Sequence, residues 1–138
     1  MRETYLFNRK KFKDNEIEDL MNVIRENEDV DLECNKEIAG IWIASSHFEV
    51  ELRLSFLGDF GLIISRVRFI NKRKGTMGAI LKYLIEYCKE NSIHFIIAQS
   101  VLTKEMASFC LKHGFKPEPY SSLDAGEFIM GNYRLEIN

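Results

Sequence analysis

Apolar residues recur along this chain with two different periods, and the change of period marks its elements. After a short expected strand over residues 4–7, Ile17, Leu20, Met21 and Ile24 fall on one face of a helix. That helix should start at Asp14 as N-cap, carry acids in its first turn and run to about residue 27. The middle of the chain has strand periodicity. Residues 38–44 are an apolar run with Trp42 at its centre, which reads as core. In "FEVELRLSF", Phe48, Val50, Leu52, Leu54 and Phe56 alternate with Glu49, Glu51, Arg53 and Ser55, the pattern of a half-buried antiparallel strand. "GDFG" turns the chain into a further strand over residues 62–70.

The period then lengthens. Met77, Ile80, Leu81, Leu84, Ile85 and Cys88 share one helical face, with Lys82, Glu86, Lys89 and Glu90 outside it, and Asn91 can end that helix. "IHFIIAQSV" predicts a buried strand, so strand, helix and strand form a βαβ unit whose strands 62–70 and 93–101 should be parallel. Thr103 should cap another helix that turns Met106, Phe109 and Cys110 inward. Gly114 suits the C′ position, with Phe115 folding back on the last turn. "KPEPY" and "EFIMGNYRLEI" supply closing strands. The expected class is α/β (α+β by some schemes), a mixed sheet flanked by helices. Without a repeat, low-complexity tract or Pro/Gly/Ser linker, residues 1–138 read as one domain.

Charge sharpens this picture. The formal net charge of −2 argues against a general nucleic-acid binder, which usually shows a basic excess. It is unevenly spread: residues 14–37 hold ten carboxylates against Arg25 and Lys36, whereas residues 66–74 hold five cations and no acid. Cys34, Cys88 and Cys110 lack metal-ligand spacing, so no metal site is expected and reduced thiols in a cytoplasmic protein are the simplest reading. No segment has the length of a signal peptide or a membrane span, so no membrane association is expected.

The chemistry concentrates in "NKRKGTMG", residues 71–78, between the end of a strand and the start of a helix. Ligands of open sheets gather at the carboxyl ends of parallel strands. Gly75 and Gly78 allow close backbone approach, and the N–H groups of a first helical turn favour an anion. Lys72, Arg73 and Lys74 would add charge. The order of residues is neither a Walker loop nor G-x-G-x-x-G.

Together with "TKEMASFCLKHGF", residues 103–115, this octet makes residues 61–116 resemble the GNAT-type N-acetyltransferases. That family places (Gln/Arg)-x-x-Gly-x-(Gly/Ala) at the start of the helix after its fourth strand, and ends a later helix in Gly-Phe. The corresponding stretch here is Lys72, Arg73, Lys74, Gly75, Thr76 and Met77, with Gly78 next. Lys72 stands in place of Gln or Arg, Met77 in place of a small residue, and Thr103 where asparagine is frequent. Cys110 takes the position of the tyrosine that often protonates the departing thiolate.

The resemblance implies a GNAT-like, mostly antiparallel sheet with a central parallel strand pair, and acetyl-CoA as acyl-donor cosubstrate. It implies direct attack by a primary amine in a ternary complex, the amine belonging to a small molecule or a protein, and leaves a homodimer open. The backbone at Val67 and Phe69 would hold the pantetheine arm, residues 72–78 would serve the phosphates, and Thr103 would be a further cofactor-binding position. Glu49 and Glu51 are the candidate bases, acting directly or through water, and Cys110 is the candidate acid. The alternatives are a solvated strand face for the two glutamates and a core position for the thiol. In this family residues 14–37 would form part of the acceptor side, which favours a cationic amine. The alternative function is a catalytically impaired CoA-binding domain acting through a protein partner. A nucleic-acid-binding domain using residues 66–74 is a third reading, and predicts salt-dependent association with oligonucleotides.

Overall fold

The computed structural model describes residues 10–70 and 75–137. The expected strand at residues 4–7 and the cations Lys72, Arg73 and Lys74 lie outside them. Helix α1 (Asp14–Arg25) is followed by strands β1 (Glu33–Glu37), β2 (Gly40–Ala44), β3 (Glu51–Leu57) and β4 (Gly61–Arg68). Then come α2 (Thr76–Glu90), β5 (Phe95–Val101), α3 (Lys104–Lys112), β6 (Lys116–Pro117), β7 (Leu123–Asp124) and β8 (Ile129–Glu136). The sheet order is β1-β2-β3-β4-β5-β8-β6, with β7 paired to β8. Only β4 and β5 pair in parallel among the described strands; every other pair is antiparallel.

Register assigns the two faces. Leu52, Leu54 and Phe56 of β3 align with Val67, Ile64 and Leu62 of β4. Leu62 and Ile64 align in turn with Ile96 and Ala98 of β5, and those with Leu135 and Tyr133 of β8. On that face one hydrophobic cluster joins Ile17, Leu20 and Ile24 of α1, Ile80, Leu81 and Leu84 of α2, and Ala107 and Cys110 of α3. Two capping signals act as read: the Thr103 Oγ1 accepts the Met106 N–H, and Gly114 (φ +89°) reverses the chain so that the Phe115 N–H reaches the Cys110 carbonyl. Two do not: Lys13, not Asp14, is the N-cap of α1, its N–H donating to Glu16 so that Asp14 becomes the first helical residue, and Asn91 closes α2 at φ −113° instead of in a left-handed conformation.

The opposite face is open, and three expectations change there. Residues 38–44 are not one strand: 38–39 are a turn joining β1 to β2, and β1 is a polar, largely exposed edge strand. Trp42 is not core. Ile41 and Ile43 point to the helices, so alternation sends Trp42 to the open side. Phe48 does not continue the inner face of β3; it sits at φ +57° in the bend before the strand, half exposed, its ring 5.7 Å from that of Trp42.

Candidate functional site

β4 and β5 pair in register only from Gly61/Phe95 to Ile64/Ala98. Both strands then become irregular at the next residue. Ser65 is a bulge, the extra residue between Ile64 (opposite Leu54) and Arg66 (opposite Arg53), and its hydroxyl donates to the Arg53 carbonyl at 3.2 Å. Opposite it, β5 breaks register with β8 between Ala98 and Val101, where Ser100 sits at φ +54° and its N–H donates to Asn132 Oδ1. Bulges bend a strand and increase its twist. Two of them, facing each other across the parallel β4–β5 pair, drive the strands apart.

The gap is a cleft of about 460 Å³ bordered by Glu51, Ser65, Arg66, Val67, Gln99 and Met106, among others. A second cavity of about 690 Å³ adjoins it on the helix side, with Val67, Phe69, Met77, Met106 and Phe109 as its apolar wall. β4 continues to pair with β3 as far as Arg68. Along residues 65–68 it therefore has a partner on one edge only, and alternate N–H and C=O groups of its other edge face the gap.

The helices bordering this space differ at their N-termini. Thr103 caps α3 with its own hydroxyl. Gly75, the N-cap of α2, lies at φ +81° and offers no side-chain cap. The Ala79 N–H takes the Gly75 carbonyl, so the N–H groups of Thr76, Met77 and Gly78 have no place in the helical ladder. The Thr76 hydroxyl is buried and lacks a hydrogen-bond partner among the described residues. A Cβ built on Gly75 or Gly78 would meet nothing within 4 Å among the described residues. Open amides, an orphan hydroxyl and clear space over two glycines fit a phosphate group.

The two candidate glutamates are separated. Glu51 is buried, 4% exposed, on the open face of the sheet where it borders the smaller cleft. Its Oε2 accepts the Trp42 Nε1–H at 2.9 Å and pairs with Arg66 Nε at 3.2 Å. Arg53 and Arg66 stack on the indole at 4.8 and 5.9 Å from its centroid, and Arg53 is itself held by a bidentate pair with Glu37. Trp42 and Arg66 were missed as site residues. Their signals were the Ile41/Ile43 alternation and the step from Ile64 to Val67, three residues where a regular strand gives two. Glu49 is exposed and borders the larger cavity alone. Cys110 is fully buried, lines neither cavity, and has its thiol pushed up to about 12 by burial. Residues 14–37 border neither cavity at the strand gap. Among the described residues no group of His, Cys, Asp and Glu could hold a metal, and no helix is long and apolar enough to cross a membrane.

No protein-family model and no curated protein matches the chain by sequence. Among solved structures it is similar to a protein from Desulfovibrio desulfuricans assigned to the GNAT-family acetyltransferases, with a TM-score of 0.53 and 14% identity over 72% of this chain and 70% of that one. It is similar to Ard1 from Thermoplasma volcanium with a TM-score of 0.53 and 13% identity, over 92% of this chain and 81% of that one. Such identities speak to architecture alone. The eight described strands, with one parallel pair among them, and the flanking helices have the fold of the GNAT-type N-acetyltransferases.

Proposed function

We propose that this chain is an acetyl-CoA-dependent N-acyltransferase that acts on a primary amine by direct attack. One observation carries the reading: the gap between β4 and β5 opens toward the uncapped N-terminus of α2. Bound acetyl-CoA supplies an activated acyl carbon whose thiolate departs when nitrogen adds.

The residues of the chain do the rest. The free edge of residues 65–69 holds the pantetheine arm, Val67 and Phe69 among them, against the apolar wall of Met77, Met106 and Phe109. The amides of Thr76, Met77 and Gly78 and the Thr76 hydroxyl receive the pyrophosphate, with Lys72, Arg73 and Lys74 adding charge from the preceding sequence. A free N–H of β4 polarises the thioester carbonyl. Glu51 is the base, directly or through one water, oriented by Trp42 and Arg66. The amine nitrogen bonds to the acyl carbon and the carbon–sulfur bond breaks. The nitrogen's proton passes to Glu51, and a proton from solvent restores the free thiol. Cys110 takes no part; the thiol belongs to the core.

The second reading, an impaired CoA-binding domain that works through a protein partner, draws on that burial, since neither cavity is bordered by a Tyr or Cys among the described residues. Calorimetry with CoA combined with thiol release from acetyl-CoA over an amine panel separates the two. Binding with turnover supports the enzyme, binding without turnover on any amine supports the partner role, and no binding removes both.

A further inference from the structure

Among the described residues, the charged ones bordering the smaller cleft are two arginines and one glutamate. Glu51 and Arg68 are cross-strand partners at the ends of β3 and β4, and both border the smaller cleft together with Arg66. Arg66 is committed to Glu51. Arg68 forms no ion pair with another described residue and also borders the larger cavity. Glu49 and Glu105 border that larger cavity, yet neither borders the smaller cleft, where nitrogen would meet the acyl carbon. Two guanidinium groups thus face one carboxylate at the point of attack. The acidic stretch 14–37, which pointed to a cationic acceptor, lines neither cavity.

Resting on the transfer reading above, we infer that the acceptor is an amine carrying an anionic group a few bonds away, a carboxylate or a phosphate, and that Arg68 selects it. Directly opposed side chains of an antiparallel pair start about 5 Å apart. An amine held at the Glu51 carboxylate therefore places a substituent two to four bonds distant within reach of the Arg68 guanidinium. That fork matches both anions through paired hydrogen bonds. A long polyamine instead puts its second cation against Arg66 and Arg68, a like-charge contact that disfavours it.

The test measures CoA release from acetyl-CoA with β-alanine, O-phosphoethanolamine, propylamine and spermidine, alongside calorimetric binding of each amine to the CoA-loaded protein. For one of the two anionic probes, kcat/KM should exceed that for propylamine about ten-fold or more, as a charge-assisted hydrogen-bond pair supplies. Which of the two leads identifies carboxylate or phosphate. Arg68→Gln should erase the advantage by raising KM for the anionic probe far more than for propylamine, and Arg68→Lys should restore part of it.

Preference for propylamine or spermidine, or an equal loss for all four amines in Arg68→Gln, overturns the inference. Turnover of spermidine indifferent to Arg68 leaves the transfer reading standing and removes the acceptor class. Arg68-dependent binding of β-alanine or O-phosphoethanolamine without any turnover does the reverse. No turnover and no binding of either anionic probe overturns the class.

Discussion

The two halves of the β4–β5 pair differ more than their sequences suggest. From Gly61 to Ile64 the strands pair residue for residue, and packing is so close that a Cβ on Gly61 would fall 2.4 Å from the Phe95 ring. From Ser65 to Arg68 the same two strands share no pairs, and their free edges border a cleft. Both halves contain apolar residues. What separates them is one extra residue in β4 and one left-handed residue in β5, at the same level of the sheet. Burial of Leu62, Ile64, Ile96 and Ala98 stabilises the paired half, and this lets the other half keep backbone groups unpaired for a ligand.

Changes in the two halves should therefore separate stability from activity. The largest effect is expected at the site: Glu51→Gln should lower kcat about 10²- to 10⁴-fold, the span of general-base catalysis. Its amide oxygen can still accept from Trp42, and the Arg66 partner whose ion pair it loses is largely exposed, so the denaturation midpoint should fall only slightly. An unchanged kcat would remove Glu51 from the chemistry. Leu62→Ala, in the paired half, should do the opposite, costing about 2–5 kcal/mol in urea unfolding while the fraction that remains folded keeps its CoA affinity.

Gly78→Ala is the sharper probe of the cradle. The new methyl meets nothing among the described residues, and it should stabilise the helix by roughly 0.5–1 kcal/mol. On the proposed reading, in which the backbone approaches the phosphates through that space, calorimetry should nonetheless show weaker CoA binding. The smallest effect concerns the core thiols. Burial raises Cys88 and Cys110 to about 12 from an ordinary value near 9. The folded state then holds protons that the unfolded chain releases, so these groups' contribution is complete below about pH 9 and is lost as pH rises toward 12. Cys110→Ala should flatten the alkaline fall in unfolding free energy. An unaltered slope would contradict the burial of that thiol.

Much of this architecture was legible because its signals are local. The helical period from Met77 to Cys88, the Thr103 cap and the Gly114-Phe115 reversal each specify their own geometry over a few residues. The strand β1 was hidden because a solvent-facing edge strand needs no alternation, and its sequence Glu-Cys-Asn-Lys-Glu has none. The site was legible in part. Glycines before a helix announce an uncrowded backbone, so the uncapped start of α2 could be read. The Trp42–Glu51–Arg66 cluster could not, because it depends on which strands become neighbours and on a bulge that resets the register of β4 by one residue. Cys110 shows the converse: a position aligned with a reactive residue by spacing alone turned out to point into the core.

The central claim, that the splayed half of β4–β5 and the open end of α2 together receive an acyl-CoA, is tested most directly by backbone amide shifts on adding CoA to the labelled protein. Changes concentrated at residues 65–69, 75–79 and 103–106, with 61–64 and 95–98 nearly still, are the predicted result. Saturating CoA that leaves the first three groups unmoved, or moves instead the cavity beside Lys36, Gly40 and Ser55, would contradict it.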